Sequence, residues 1–154
     1  MKRYILIIAA TLLATFTYAQ SNKEEVDLMQ AAFGIDKKAA VAEFVKPSAA
    51  QKDAFWKLYD EYETQRKDLG KERIELLKQY ASQYKTMTSE QADAWTKKAM
   101  DLQKKTDNLI TTYYGKVKAI SDGIVALQFY QIENYILAGI RAQLLENIPF
   151  VEKK

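Results

Sequence analysis

The 154-residue chain has no cysteine and no histidine, and only two prolines and five glycines. The absence of cysteine excludes a disulfide framework, a thiol nucleophile, a thiolate zinc site and a lipid-attachment cysteine. The absence of histidine excludes a Ser-His-Asp triad and a histidine-based transition-metal site. Scarce glycine and proline argue against disorder, a collagen-like repeat and a turn-rich all-β fold. Neither sign of charge dominates, with 23 Lys and Arg against 20 Asp and Glu. Nucleic-acid binding needs a strong basic footprint, which this balance does not supply. The expectation is a protein with no catalytic site, no cofactor and no metal, long enough for one domain with a real core.

The N-terminus reads as an address. Met1-Lys2-Arg3 is a short positive region, Tyr4–Phe16 is an uncharged apolar run, and Thr17-Tyr18-Ala19 offers small residues around a spacer. That order is the pattern of a secretory signal peptide, with cleavage expected after Ala19. The run is short for a permanent span, which takes about 20 apolar residues. Loss of Lys2 and Arg3 leaves 21 bases against 20 acids, a formal +1. The expected product is a periplasmic protein with no stable membrane insertion once the signal is removed. The expected organisation is a signal peptide over 1–19, a flexible polar segment over 20–35, a single helical domain over 36–151 and a polar tail over 152–154.

Within that domain the apolar residues recur at three- and four-residue steps, the signature of amphipathic helices. Asp36 is placed to cap a short helix over Lys37–Val45, with Ala40, Val41, Phe44 and Val45 on its buried side, and Lys46-Pro47 ends it. A long helix is predicted from Ser48 to Tyr84, its stripe running through Phe55, Leu58, Tyr59, Tyr62, Leu69, Leu76, Leu77 and Tyr80. A second follows Thr88, with Trp95, Leu102, Leu109, Tyr113, Val117 and Ile120 on its seam. Ser121-Asp122-Gly123 breaks it and starts a third, whose core positions are read as Ile124, Leu127, Phe129, Ile132, Ile136, Ile140, Leu144 and Leu145. Asn147-Ile148-Pro149 stops it, and Phe150-Val151 is expected to fold back. Short connections force antiparallel neighbours, and no hairpin-turn signal or sustained alternation is present. The predicted fold is all-α: one short and three long antiparallel helices in a thin, cradle-like bundle with no β-sheet.

Two helix starts resemble each other. Ser48-Ala49-Ala50-Gln51 and Thr88-Ser89-Glu90-Gln91 both fit the capping box, in which the hydroxyl accepts from the third backbone N–H and the glutamine reaches back to the cap N–H. Placing Ser48 on Thr88 aligns Asp53 with Asp93, Ala54 with Ala94, Phe55 with Trp95 and Lys57 with Lys97. At these motifs the chain resembles the periplasmic family typified by Spy and CpxP, whose signature is LTxxQ; Met87-Thr88-Ser89-Glu90-Gln91 is the closer copy and Pro47-Ser48-Ala49-Ala50-Gln51 the more divergent one. The resemblance implies a thin helical homodimer. It also implies a role as an ATP-independent chaperone for unfolded or partly folded envelope proteins, or as an envelope-stress adaptor. Metal-handling relatives generally use histidines, which this chain lacks.

A protein that works by contact needs surface, and Tyr59, Tyr62, Tyr80, Tyr84, Tyr113 and Tyr114 are the candidate contact residues, because tyrosine joins apolar area to a polar tip. Glu133 borders the apolar stripe of the last helix and needs a cation; Arg73, or failing that Arg66, is the expected partner. Asp60-Glu61-Glu63 and Glu24-Glu25-Asp27 read as solvated faces. Two other functions compete: a sensor partner of a membrane anti-sigma factor or histidine kinase, and a Skp-like periplasmic chaperone, which requires a β-rich body.

Overall fold

A computed structural model describes residues 36–146 and 148–151. The expected signal peptide, the segment 20–35 and the tail 152–154 lie outside the described residues. The domain is all-α as predicted, and the described residues contain no strand. Four helices follow in order: α1 over Lys37–Phe44, α2 over Lys52–Gln83, α3 over Ser89–Ile120 and α4 over Gly123–Glu146.

Each boundary has a local cause. Asp36 caps α1, its carboxylate accepting from the Ala39 N–H at 3.1 Å. Asp122 does the same for α4, accepting from the N–H groups of Ile124 at 2.8 Å and Val125 at 3.0 Å. Thr88 forms the full capping box at α3: its hydroxyl accepts from the Gln91 N–H at 3.3 Å, and the Gln91 side chain accepts from the Thr88 N–H at 2.9 Å. The earlier motif forms only half of one. Gln51 Oε1 accepts from the Ser48 N–H at 3.0 Å, but the Gln51 N–H donates to the Ser48 carbonyl, not to its hydroxyl. Residues 49–51 therefore make a turn, and α2 starts at Lys52.

At 1.5 Å per residue, the 32 residues each of α2 and α3 span about 48 Å. They form an antiparallel hairpin, and α4 returns antiparallel along α3, so α2 and α4 run in the same direction. They meet through long side chains: the Tyr62 ring stands edge-on to Phe129 at 5.2 Å and to Tyr113 of α3 at 5.4 Å. α1 lies in the groove between α2 and α4, with Val41 and Val45 in the same core as Phe55, Tyr59, Val125 and Phe129. At the far end of the hairpin the Trp95 indole N–H donates to the Leu76 carbonyl at 3.0 Å and its ring packs on Tyr80 at 5.0 Å.

The phase of α4 differs from the sequence reading. Its buried stripe is Val125, Phe129, Glu133, Ile136 and Ile140, at steps of four and three, whereas Ile124 is 67 % exposed and Leu127 and Leu145 also face out. Only three of its residues, Glu133, Arg141 and Glu146, carry charge, so periodicity alone does not mark which apolar residues face inward. The C-terminal return is half as expected. The Tyr80 hydroxyl donates to the Pro149 carbonyl at 2.7 Å, yet Phe150 is 92 % exposed.

The capping difference has a measurable consequence. Thr88→Ala is expected to lower the unfolding free energy by about 1 kcal/mol, and Ser48→Ala to leave it within a few tenths of a kcal/mol, as read from urea titrations.

Candidate functional site

The most polar part of the interior is built by three helices. Glu133 of α4 has no exposed surface. Its Oε2 accepts from Lys37 Nζ of α1 at 2.7 Å and from the Tyr62 hydroxyl of α2 at 2.7 Å, and its Oε1 accepts from the Tyr59 hydroxyl at 3.3 Å. Lys37 also pairs with Glu63, whose carboxylate accepts from Arg66 at 2.6 and 3.2 Å. The Lys37 ammonium lies 5.5 and 5.2 Å from the Tyr59 and Tyr62 ring centroids. Two cations therefore face two carboxylates, and every acidic oxygen finds a donor.

The electrostatics follow from this closure. Burial alone would raise the Glu63 carboxyl; Lys37 and then Arg66 outweigh it and hold it down to about 2. Burial first, and the Glu133 charge second, push the Tyr59 and Tyr62 phenols well above their ordinary range, so both remain hydroxyl donors. A carboxylate sealed from solvent reaches no substrate, and we assign the cluster the task of holding α1 in the α2/α4 groove.

Glu133 does not pair with Arg73. Arg73 lies 11 residues beyond Tyr62 and 14 beyond Tyr59, where Glu133 meets α2, and it donates to Gln103 of α3 at 3.2 Å. Arg66, the fallback, belongs to the same cluster through Glu63. The ion-pair partner of Glu133 is Lys37, which carries no expectation from the sequence, although its spacing of four from Val41 and eight from Val45 marks that face. Glu63 likewise leaves the solvated class; its side chain is largely buried.

The tyrosines expected to form the contact surface do not lie on the surface. Tyr59, Tyr62, Tyr80 and Tyr113 are buried, and Tyr84 and Tyr114 are half-buried. The core can hold these hydroxyls because each finds a partner: Glu133, the Pro149 carbonyl, or the Gln65 amide, which lies 2.7 Å from the Tyr113 oxygen. The outward apolar residues lie on α4 instead. From Ile124 to Leu145 its exposed positions are Ile124, Leu127, Tyr130, Gln131, Tyr135, Ala138, Ala142 and Leu145, and none is charged. α3 contrasts with this, carrying exposed Lys97, Lys98, Asp101, Lys104 and Asp107.

Among the described residues no group of three or more Asp or Glu is arranged to hold a metal ion, and no helix is long and apolar enough to cross a membrane. No family model, curated protein or solved structure matches the chain.

Removing one member of the buried cluster strands the others. Lys37→Met is expected to cost about 3–5 kcal/mol, and Lys37→Met with Glu133→Leu to cost less than the sum of the two single changes, by urea unfolding. The Glu63 carboxyl is depressed in the folded state, so its contribution is whole above the ordinary carboxylate range and is lost as pH falls towards about 2. The urea midpoint is expected to fall between about pH 4.5 and 2, less steeply in the Lys37→Met variant.

Proposed function

We propose that this protein acts by contact: an exported helical protein that binds unfolded or partly folded polypeptide without nucleotide, as a chaperone or envelope-stress adaptor of the Spy/CpxP kind. The observation that carries this reading is the outward face of α4, about 30 Å of helix with no exposed charge. An uncharged apolar face of that length on a charged, thin bundle marks an interaction surface. It has the form of a helix that docks against, or offers a groove to, apolar segments of another chain.

The polar residues support the same reading. The strongest candidate for acid–base chemistry, Glu133, is neutralised by Lys37 and sealed from solvent. The capping box at Thr88 retains the chemistry of the LTxxQ signature. A Skp-like assembly draws no support, since its β-rich body has no counterpart among the described residues. A homodimer through the α4 face is compatible with the proposal, because the same surface can serve a second copy.

The test is suppression of the aggregation of a chemically denatured client on dilution, without nucleotide. The protein at stoichiometric excess is expected to suppress light scattering, and Ile124→Lys with Leu127→Lys to abolish the effect. Both positions are exposed, so the unfolding free energy of this variant is expected to stay within about 0.5 kcal/mol of the parent. Unchanged scattering with the parent protein sinks the chaperone reading. In that case, a specific membrane partner lost on the same substitution supports the adaptor.

A further inference from the structure

α1 fills only part of the groove between α2 and α4. It runs antiparallel to both: the Lys46 N–H donates to Gln128 at 3.0 Å, and nine residues earlier Lys37 reaches Glu133 and Glu63. Beyond the N-terminus of α1 the groove continues without it. The stripe of α2 that bears Tyr59 and Glu63 goes on through Arg66, Gly70 and Arg73, and the stripe of α4 that bears Phe129 and Glu133 goes on through Leu137, Arg141 and Leu144. Together they line an open cavity of about 50 Å³. Gly70 presents no side chain there, so the gap reaches the helix backbone.

The cavity holds an electrostatic mismatch. Arg73 and Arg141 come from opposite walls and repel one another; burial first, and the Arg141 charge second, lower the Arg73 guanidinium below its ordinary range, outweighing the Asp107 charge of α3 that acts the other way. Among the described residues neither forms an ion pair. The rest of the lining is mainly aliphatic, from Leu69, Ile74, Leu137, Ile140 and Leu144. Such a surface fits an occupant carrying carboxylates next to apolar side chains.

The sequence that precedes α1 has that composition. Glu24, Glu25 and Asp27 are followed at once by Leu28 and Met29, then Ala31, Ala32 and Phe33. The distances agree as well. Arg73 and Arg141 lie ten and eight residues beyond Glu63 and Glu133, about 12–15 Å along their helices, and Glu25 and Asp27 precede Asp36 by eleven and nine residues, about 13–17 Å at helical rise and more if extended. We propose that this chain's own segment Glu24–Phe33 docks in the open stretch of the α2/α4 groove, its carboxylates on Arg73 and Arg141 and its apolar side chains on the aliphatic walls. The segment continues the path of α1 into the next part of the same groove and brings carboxylates to two arginines that repel one another.

The absence of cysteine makes a direct test clean, because an introduced pair is the only thiol pair present. In the otherwise unaltered chain, M29C with L144C is expected to form an intramolecular disulfide under mild oxidation. Reversing the segment (E24K/E25K/D27K) or the groove (R73E/R141E) is expected to lower the yield at least fivefold, and combining the reversals to restore it within twofold. R73Q/R141Q serves as the groove variant if the reversal impairs folding, as judged by circular dichroism. Cross-linking that is indifferent to both reversals overturns the proposal. So does cross-linking only between chains, with a yield that rises with concentration, which assigns the groove to a second copy's segment. Loss of the cross-link on adding an acidic apolar peptide in trans, reversed by R73Q/R141Q, supports the groove as the site.

Discussion

The structure turns on the burial of one carboxylate. Taking Glu133 out of water costs several kcal/mol, and a cation with good hydrogen bonds is what offsets it. That cation comes from α1, which at eight residues is too short to persist as a helix alone. The dependence is mutual. α1 is held in place because Lys37 must reach Glu133 and Glu63, and the two glutamates tolerate burial because α1 is there. Tyr59 and Tyr62 complete the arrangement: their hydroxyls take the remaining bonding capacity of Glu133 while their rings fill the space between α2 and α4.

This arrangement divides the bundle along its length. Around α1 the space between α2 and α4 is closed by aromatic rings and balanced charge. Past Lys37 the same two helices line an open cavity into which both Arg73 and Arg141 are brought. Polar groups are placed asymmetrically for a physical reason. The charges at the closed end are paired within the fold, whereas the two arginines at the open end repel one another and are opposed, at Arg73, by the Asp107 charge of α3.

Local chemistry was legible where it acts locally. Four helices, the caps at Asp36 and Thr88, the break at Ser121-Asp122-Gly123 and the all-α class follow from three- and four-residue spacing and from hydroxyl or carboxylate side chains at helix starts. The half-formed box at Ser48 shows the limit even there, since Pro47 precedes it and the chain enters α2 through a turn that satisfies the Gln51 N–H with a carbonyl. Relations between helices were much less legible. Which arginine or lysine meets Glu133 depends on how far α2 is shifted along α4 and on where α1 is seated, and neither quantity is encoded in the spacing within any one helix. The tyrosines misled for a related reason. A tyrosine on a stripe suits a wet surface and a satisfied interior equally well, and the presence of Glu133 across the interface decides for the interior.

The ambiguity of α4 has the same root as its proposed role. A helix apolar on all sides is expected to be surrounded, yet α4 has α3 and α1 on one side and nothing among the described residues on the other. If its outward face served only solubility, charge would be expected there, as on the exposed face of α3, where lysines and aspartates alternate at no cost to the core. Surface substitutions of that kind are nearly neutral for stability, so folding alone places no requirement for apolar residues at Ile124, Leu127 and Leu145. The proposed contact with another chain does place one. The feature that leaves the phase of α4 unreadable from its spacing is therefore also the reason to propose α4, ahead of the more aromatic α2, as the contact surface.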